Sequence, residues 1–147
     1  MPAEAQAKAV VGSKEALFLP LNHTTMFLEL AHTKLDAYKV SQELVLECYK
    51  VTNLFPKDEK FALVQQIRRA ATSVHLNFAE GCSRKSEIER KRFLAVSRGS
   101  VIEIDAAIGV AHKLSYVTLD QLKDIGEKII KTFKILSGMI KQEGTLH

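Results

Sequence analysis

The sequence predicts an all-α protein, an up-down-up-down antiparallel four-helix bundle, and three observations lead there. Only three prolines and seven glycines interrupt the 147 residues, and Trp is absent. From Leu35 onward, apolar side chains recur at three- and four-residue intervals through four successive stretches, the period of a helix that buries one face. The breaks between those stretches are short, and connections of about two to eight residues make sequential helices antiparallel neighbours. A chain of this length can bury one core without staples.

Residues 1–34 lack a sustained stripe, being interrupted by Gly12-Ser13, Pro20 and Asn22-His23-Thr24-Thr25. They are expected to form an N-terminal arm, whose apolar patches Ala16-Leu17-Phe18-Leu19 and Met26-Phe27-Leu28 either dock on a neighbour or belong to a loose extension. Residues 35–141 make up the bundle and 142–147 a C-terminal tail. The first helix runs from an Asp36 N-cap to about Asn53, with Tyr38, Leu44, Val45, Cys48 and Val51 at helical spacing. Phe55-Pro56 breaks the chain. Pro56 suits the first turn of the second helix, where Asp58 and Glu59 complement the positive end of its dipole. Val64, Ile67, Ala71, Val74 and Phe78 form its stripe, and Gly81 closes it as the residue just past the C-cap. Ser83 or Ser86 caps the third helix, with Ser86-x-x-Glu89 matching a capping box. Its stripe is Phe93, Ser97, Ser100, Ile104, Ala107, Ala111 and Leu114. A mid-helix Gly costs roughly 1 kcal/mol against Ala, so the cluster Ser97, Gly99, Ser100 predicts a close backbone approach, within the chain or to a second subunit. Thr118 caps a fourth helix carrying Leu119, Leu122, Ile125, Ile129, Phe133, Leu136 and Ile140.

Charge is distributed unevenly. All six arginines fall between Arg68 and Arg98, and with Lys85 and Lys91 against Glu80, Glu87 and Glu89 that stretch carries a net +5, while the remainder carries −1. Arginine suits planar phosphate and carboxylate recognition. Arg84, Lys85, Arg90, Lys91 and Arg92 surround one turn and the start of the third helix, whose dipole also attracts anions. They are the leading candidates for binding nucleic acid, with Arg68, Arg69 and Arg98 shared between ligand and interface. Contacts would go mainly to the phosphate backbone and weaken with salt. Phe93, the aromatic nearest the patch, is assigned to the core, so base stacking has no support there. The competing reading is a structural or protein-adaptor bundle whose arginines hold the fold or subunit interfaces. Ser73, Asn77, Glu80 and Glu103 are read as a structural polar network: Asn77 and Glu80 pair with third-helix arginines, and Glu103 lies in range of Arg68 or Arg69.

An enzymatic reading ranks third. Arg68 or Arg69 with His75 resembles the short Arg/His signature of helical-bundle ribonucleases, with His75 as acid or base and an arginine on phosphate. The chain is expected not to be an enzyme. A di-metal carboxylate bundle needs paired Glu-x-x-His motifs, and only Glu29-x-x-His32 fits, so neither a metal nor a cofactor is expected. Cys48 and Cys82 are isolated, which signals neither a disulfide framework nor a zinc site and suggests a reducing cytoplasm. No run approaches a membrane span, and the charged start does not read as a signal peptide.

Several strings occur in a particular order: Leu54-Phe55-Pro56-x-x-Glu59, Gln65-Gln66-Ile67-Arg68-Arg69-Ala70-Ala71, Ser73-x-x-x-Asn77-x-Ala79-Glu80-Gly81, Arg84, Phe93-Leu94 and Gly99-Ser100-x-x-Glu103. From about Leu35 to Lys141 the chain resembles the four-helix-bundle proteins encoded in intervening sequences of 23S ribosomal RNA genes. That family is similar in fold to accessory proteins of diversity-generating retroelements, which are homopentamers with a basic surface that associate with nucleic acid and a reverse transcriptase. The resemblance implies a cytoplasmic, non-catalytic homo-oligomer, a pentamer, whose ligand is RNA or DNA and whose protein partner is a reverse transcriptase. It leaves the biological process open.

Overall fold

A computed structural model describes Phe27, Leu28 and residues 30–143. The expected tail beyond Glu143, most of the expected arm, and with it Ala16-Leu17-Phe18-Leu19, Met26 and Glu29, lie outside the described residues. Within them the chain is all-α: α1 Asp36–Thr52, α2 Leu63–Ser83, α3 Glu87–Lys113 and α4 Lys123–Glu143, with single 3-10 turns at Ala31–Lys34 and Lys57–Glu59. Each long helix packs on its sequence neighbour, and α4 returns to α1, so the four enclose one core. The turn at Ala31–Lys34 packs on α1 and α2 and buries Thr33. No described helix is long and apolar enough to cross a membrane.

The helical stripes supply the core. Ala37, Val40, Leu44, Cys48 and Val51 from α1 meet Val64, Ile67, Ala71, Val74 and Phe78 from α2. From the other two helices come Leu94, Val101, Ile104, Ile108 and Ala111, then Ile125, Ile129 and Leu136. Every second-helix residue of the predicted stripe is buried. In α3 the stripe is rotated by about one residue at either end. Leu94 is buried and Phe93 only half so, and Leu114 is 51% exposed. Leu119, expected on the fourth stripe, is also exposed, because it lies in the turn before α4.

The α2–α3 contact is built from small residues. Ser97 Oγ donates to the Val74 carbonyl at 2.6 Å, and Ser73 and Ser100 hydroxyls meet at 2.8 Å. Gln66 reaches Glu103 further along, and Gly81 faces Phe93 and Leu94. Residue numbers fall along α2 as they rise along α3, so these two helices run in opposite directions. Gly81 lies inside α2, which continues to Ser83, and not at a C′ position. A Cβ there would stand 3.0 Å from Phe93 Cβ and 3.4 Å from the Arg90 carbonyl. Its glycine therefore permits close approach rather than a left-handed turn. At Gly99 the expectation reverses: a Cβ at that position would meet no atom within 4 Å, and the approach is made by Ser97 and Ser100 on either side.

The helix ends depart from simple capping rules. Leu35, without a side-chain bond, precedes α1, and Asp36 lies in its first turn instead of capping it. The chain after Pro56 makes only one 3-10 turn before Ala62 (φ −121°, ψ −102°) breaks it, and α2 starts at Leu63. The cause is Glu59. One carboxylate oxygen accepts from Leu63 N at 3.2 Å, satisfying a first-turn donor of α2, and the other accepts from Tyr116 Oη at 2.9 Å. That bond ties the α1–α2 connection to the α3–α4 connection, beside the Phe55 and Tyr116 rings 5.7 Å apart. Ser86, not Ser83, caps α3, accepting from Glu89 N at 3.4 Å. Thr118 and Gln121 bond reciprocally across the turn leading into α4.

Two glycine substitutions test the close-approach account. Gly99→Ala should raise the urea midpoint, corresponding to about 0.5–1 kcal/mol of added unfolding free energy, the helix propensity gain at an open site. Gly81→Ala should lower it, because Phe93 Cβ is fixed to the α3 backbone and the helices must separate. Equal gains at both positions would contradict the account.

Candidate nucleic-acid interface

The eight cations singled out from sequence divide into two groups by what holds them. Arg90 stands at the start of α3, where the carbonyls at the end of α2 have no helical partner. Its Nη1 donates to the Arg84 and Lys85 carbonyls at 3.2 and 2.6 Å, and Nε and Nη2 grip both oxygens of Glu143 at 3.1 Å each. One guanidinium thus joins the α2–α3 turn to the end of α4. Arg68 does the same at the end of α1: Nε donates to Thr52 Oγ1 and Nη2 to Asn53 Oδ1, both at 2.9 Å, and the guanidinium lies 4.5 Å from the Tyr49 ring centre. Arg98 reaches Ser137 Oγ at 3.5 Å and lies over Phe133 of α4.

The second group faces water. Arg69, Lys85, Lys91 and Arg92 are exposed, and their side chains bond to no other described residue. Arg84 is intermediate in role, paired with Glu80 one helical turn back at 2.5 Å and lying over the Phe93 ring. Both partners of that pair are more than 40% exposed, so its worth is small and a phosphate can compete for the guanidinium. Glu80, Glu87 and Glu89 offset part of the positive charge at this turn, and Glu87 and Glu89, in the first turn of α3, also favour its dipole.

Of the four residues of the expected polar network, only Ser73 and Asn77 are joined to each other, and Glu80 and Glu103 bond elsewhere. Asn77 Nδ2 donates to the Ser73 carbonyl and hydroxyl at 2.9 and 3.0 Å, and Ser73 continues to Ser100. No arginine joins Asn77. Glu80 pairs with Arg84 of the turn and not with a third-helix arginine, and Glu103 accepts from Gln66, not from Arg68 or Arg69. The third-helix register explains this: Ser100 sits opposite Ser73, and Arg68 is drawn to the α1 end instead. The Glu59–Tyr116 bond was missed by sequence reasoning, although Glu59 ends the string Phe55-Pro56-x-x-Glu59.

His75 and Arg68 are not brought together. His75 is half-buried, its Nδ1 is 2.8 Å from Ser41 Oγ, and its ring packs 4.7 Å from Tyr38. Burial pushes its imidazole below the ordinary value, and the nearby His32 adds to the effect. Burial, with help from Glu47, pushes the Cys48 thiol up to about 12. Burial and Glu143 push Cys82 up to about 11, against the opposing charge of Arg90. Both cysteines are therefore protonated at neutral pH and poor nucleophiles. No group of three metal-ligating side chains occurs among the described residues.

The lowered His75 value has a definite consequence. Its contribution to stability is complete above the unfolded imidazole value of 6.5 and is lost as pH falls through the lower folded value. Thermal melts should therefore show stability falling from pH 7 to pH 5, less steeply in His75→Gln. An identical slope in the variant would contradict the assignment. Separately, Arg90→Gln and Glu143→Gln should each lower the melting temperature, and combining them should cost less than the sum, as expected for one shared contact.

The sequence profile of the 23S rRNA-intervening sequence protein family matches residues 33–138. A crystal structure from Bacteroides thetaiotaomicron, of a protein with unknown function from the S23 ribosomal protein family, is similar in fold. It is 22% identical with a TM-score of 0.64, over 71% of this chain and 98% of that one. No curated protein matches the chain. The family profile spans the four helices from Thr33 to Gly138, and with it the Phe55-Pro56-x-x-Glu59 connection and the arginine-bearing hairpin: the chain belongs to the 23S rRNA-intervening sequence protein family.

Proposed function

We propose that this protein is a non-catalytic, cytoplasmic, oligomeric four-helix bundle that binds the backbone of RNA or DNA through the basic α2–α3 hairpin. The observation that carries the reading is the group Arg69, Lys85, Lys91 and Arg92: four exposed cations in direct ion pair with no described carboxylate. Side chains held this way lose little on meeting phosphate, and they release counterions when they do. Up-down-up-down topology is supported by residue order at each sequential helix pair: Ser41 with His75 and Thr52 with Arg68, Ser73 with Ser100 and Gln66 with Glu103, and Arg98 with Ser137 and Arg90 with Glu143.

Self-association draws support from the α3–α4 face. Ile102 and Ile130 are 53% and 57% exposed there and line, with Phe133, an apolar groove of about 290 Å³. Exposed apolar patches of this kind commonly mark interfaces. A homopentamer is the assembly the family resemblance suggests, and a reverse transcriptase the protein partner. Repetition of the hairpin around an oligomer would multiply weak phosphate contacts.

Fluorescence anisotropy with duplex RNA and duplex DNA, from low to physiological salt, tests this reading. Wild-type affinity should fall steeply with salt, by about 0.9 in log–log slope for each phosphate neutralised on duplex DNA. Lys85→Gln/Lys91→Gln/Arg92→Gln, in unchanged oligomeric state, should bind at least tenfold more weakly with a shallower slope. Absence of wild-type binding at low salt would overturn the proposal.

A further inference from the structure

We propose that the saddle between the end of α1 and the start of α2 is a subsite for single-stranded nucleic acid, with an unstacked base on Phe61 and the neighbouring phosphates on Lys60 and Arg69. The inference rests on the nucleic-acid reading above and deepens it, by naming the strand form and a second contact surface.

Two adjoining grooves, of about 340 and 350 Å³, share Lys60, Val64 and Arg68. Their walls carry four cations, Lys57, Lys60, Arg68 and Arg69, and no carboxylate. Other grooves on the molecule differ in charge. The α3–α4 groove sets Asp105 against Lys134, and a groove between α1 and the turn before α4 sets Glu47, Asp120 and Asp124 against Lys50. Carboxylates around the saddle are turned to other work. Glu59 is held by Leu63 N and Tyr116, Glu103 accepts from Gln66 across the helix pair, and Asp58 lines neither groove.

A fully open aromatic face accompanies the charge here, whereas at the α2–α3 turn the ring is the half-buried Phe93 beneath Arg84. Phe61 is 81% exposed, which no packing requirement explains, and Lys60 Nζ stands 5.3 Å from its ring centre. Tyr49, 40% exposed, lies beneath the Arg68 guanidinium, itself fixed by Thr52 and Asn53. A flat ring beside unpaired cations is the recurring chemistry of single-strand binding, where bases stack without sequence readout and the backbone follows positive charge. A duplex presents phosphates but hides its base faces, so Phe61 adds nothing to duplex affinity.

Binding of short oligo(U), oligo(dT) and a duplex to the full chain tests the subsite. Phe61→Ala should weaken both single strands by about tenfold, the scale of one lost stack, and leave the duplex unchanged. Phe61→Trp should bind as wild type, and because the chain has no other Trp, its emission should be quenched on saturation with oligo(U). Arg69→Gln should reduce the salt dependence. Unchanged single-strand affinity in Phe61→Ala, or Trp emission indifferent to bound oligo(U), would overturn the subsite. Duplex binding that needs Lys85, Lys91 and Arg92, without a Phe61 effect, would remove the subsite and leave the proposed function standing. A wild type that binds neither form would remove both.

Discussion

At Gly81 a hydrogen atom stands where any other residue would place a carbon 3.0 Å from Phe93 Cβ. Two turns earlier in α2, the Val74 carbonyl receives the Ser97 hydroxyl, and Ser73 meets Ser100 beside it. This close approach sets the register of α2 on α3, and the rest of the molecule depends on that register. It brings Arg90 beneath the carbonyls of Arg84 and Lys85, where its fork can also take Glu143 of α4. Wider separation would remove the geometry of that clamp as well as core contacts. Buried polar groups are tolerated here because each has a partner: no described side-chain nitrogen or oxygen is buried without one.

The same register divides the arginines. Arg68 and Arg90 are joints, each satisfying groups at a helix end with a fork that lysine could not reproduce. Arg69 and Arg92, one and two residues further along their helices, rotate by about 100° per residue away from those contacts and into water. Concentration of all six arginines in one hairpin therefore has two causes superposed: the fold requires some of them, and the surface charge comes from others. A charge sum over the sequence cannot separate these, since it weighs a bonded guanidinium and a free one alike.

Legibility in the sequence followed the range of the interaction. The stripe Val64, Ile67, Ala71, Val74 and Phe78 was readable because burial on one face imposes a helical period, and all five are in the core. Ser86 was readable as a cap because capping is local, whereas Thr118 closes a turn with Gln121 and α4 begins only at Lys123. Gly81 was misread as a helix stop because its reason lies on another helix. Pro56 was misread as a helix start because Glu59 is recruited by Tyr116, 57 residues away. At the candidate site the residue types were visible, but not their allotment. Arg90 owes its role to Glu143 at the far end of the chain. The aromatic surface went unnoticed because Phe61 falls on no stripe, and an exposed ring has no periodicity to announce it.

The division of the arginines is the central claim, and arginine side-chain NMR tests it most directly. With only six arginines in the chain, selective ¹⁵N labelling gives six Nε–H signals, followed in the free protein and during addition of an oligonucleotide. Arg68 and Arg90 should exchange slowly with water in the free protein and hold their positions, because Thr52 and Glu143 already receive their Nε–H groups. Arg69 and Arg92 should exchange rapidly when free and shift on addition. The opposite pattern, with Arg68 and Arg90 mobile and responsive while Arg69 and Arg92 stay unmoved, would contradict the account.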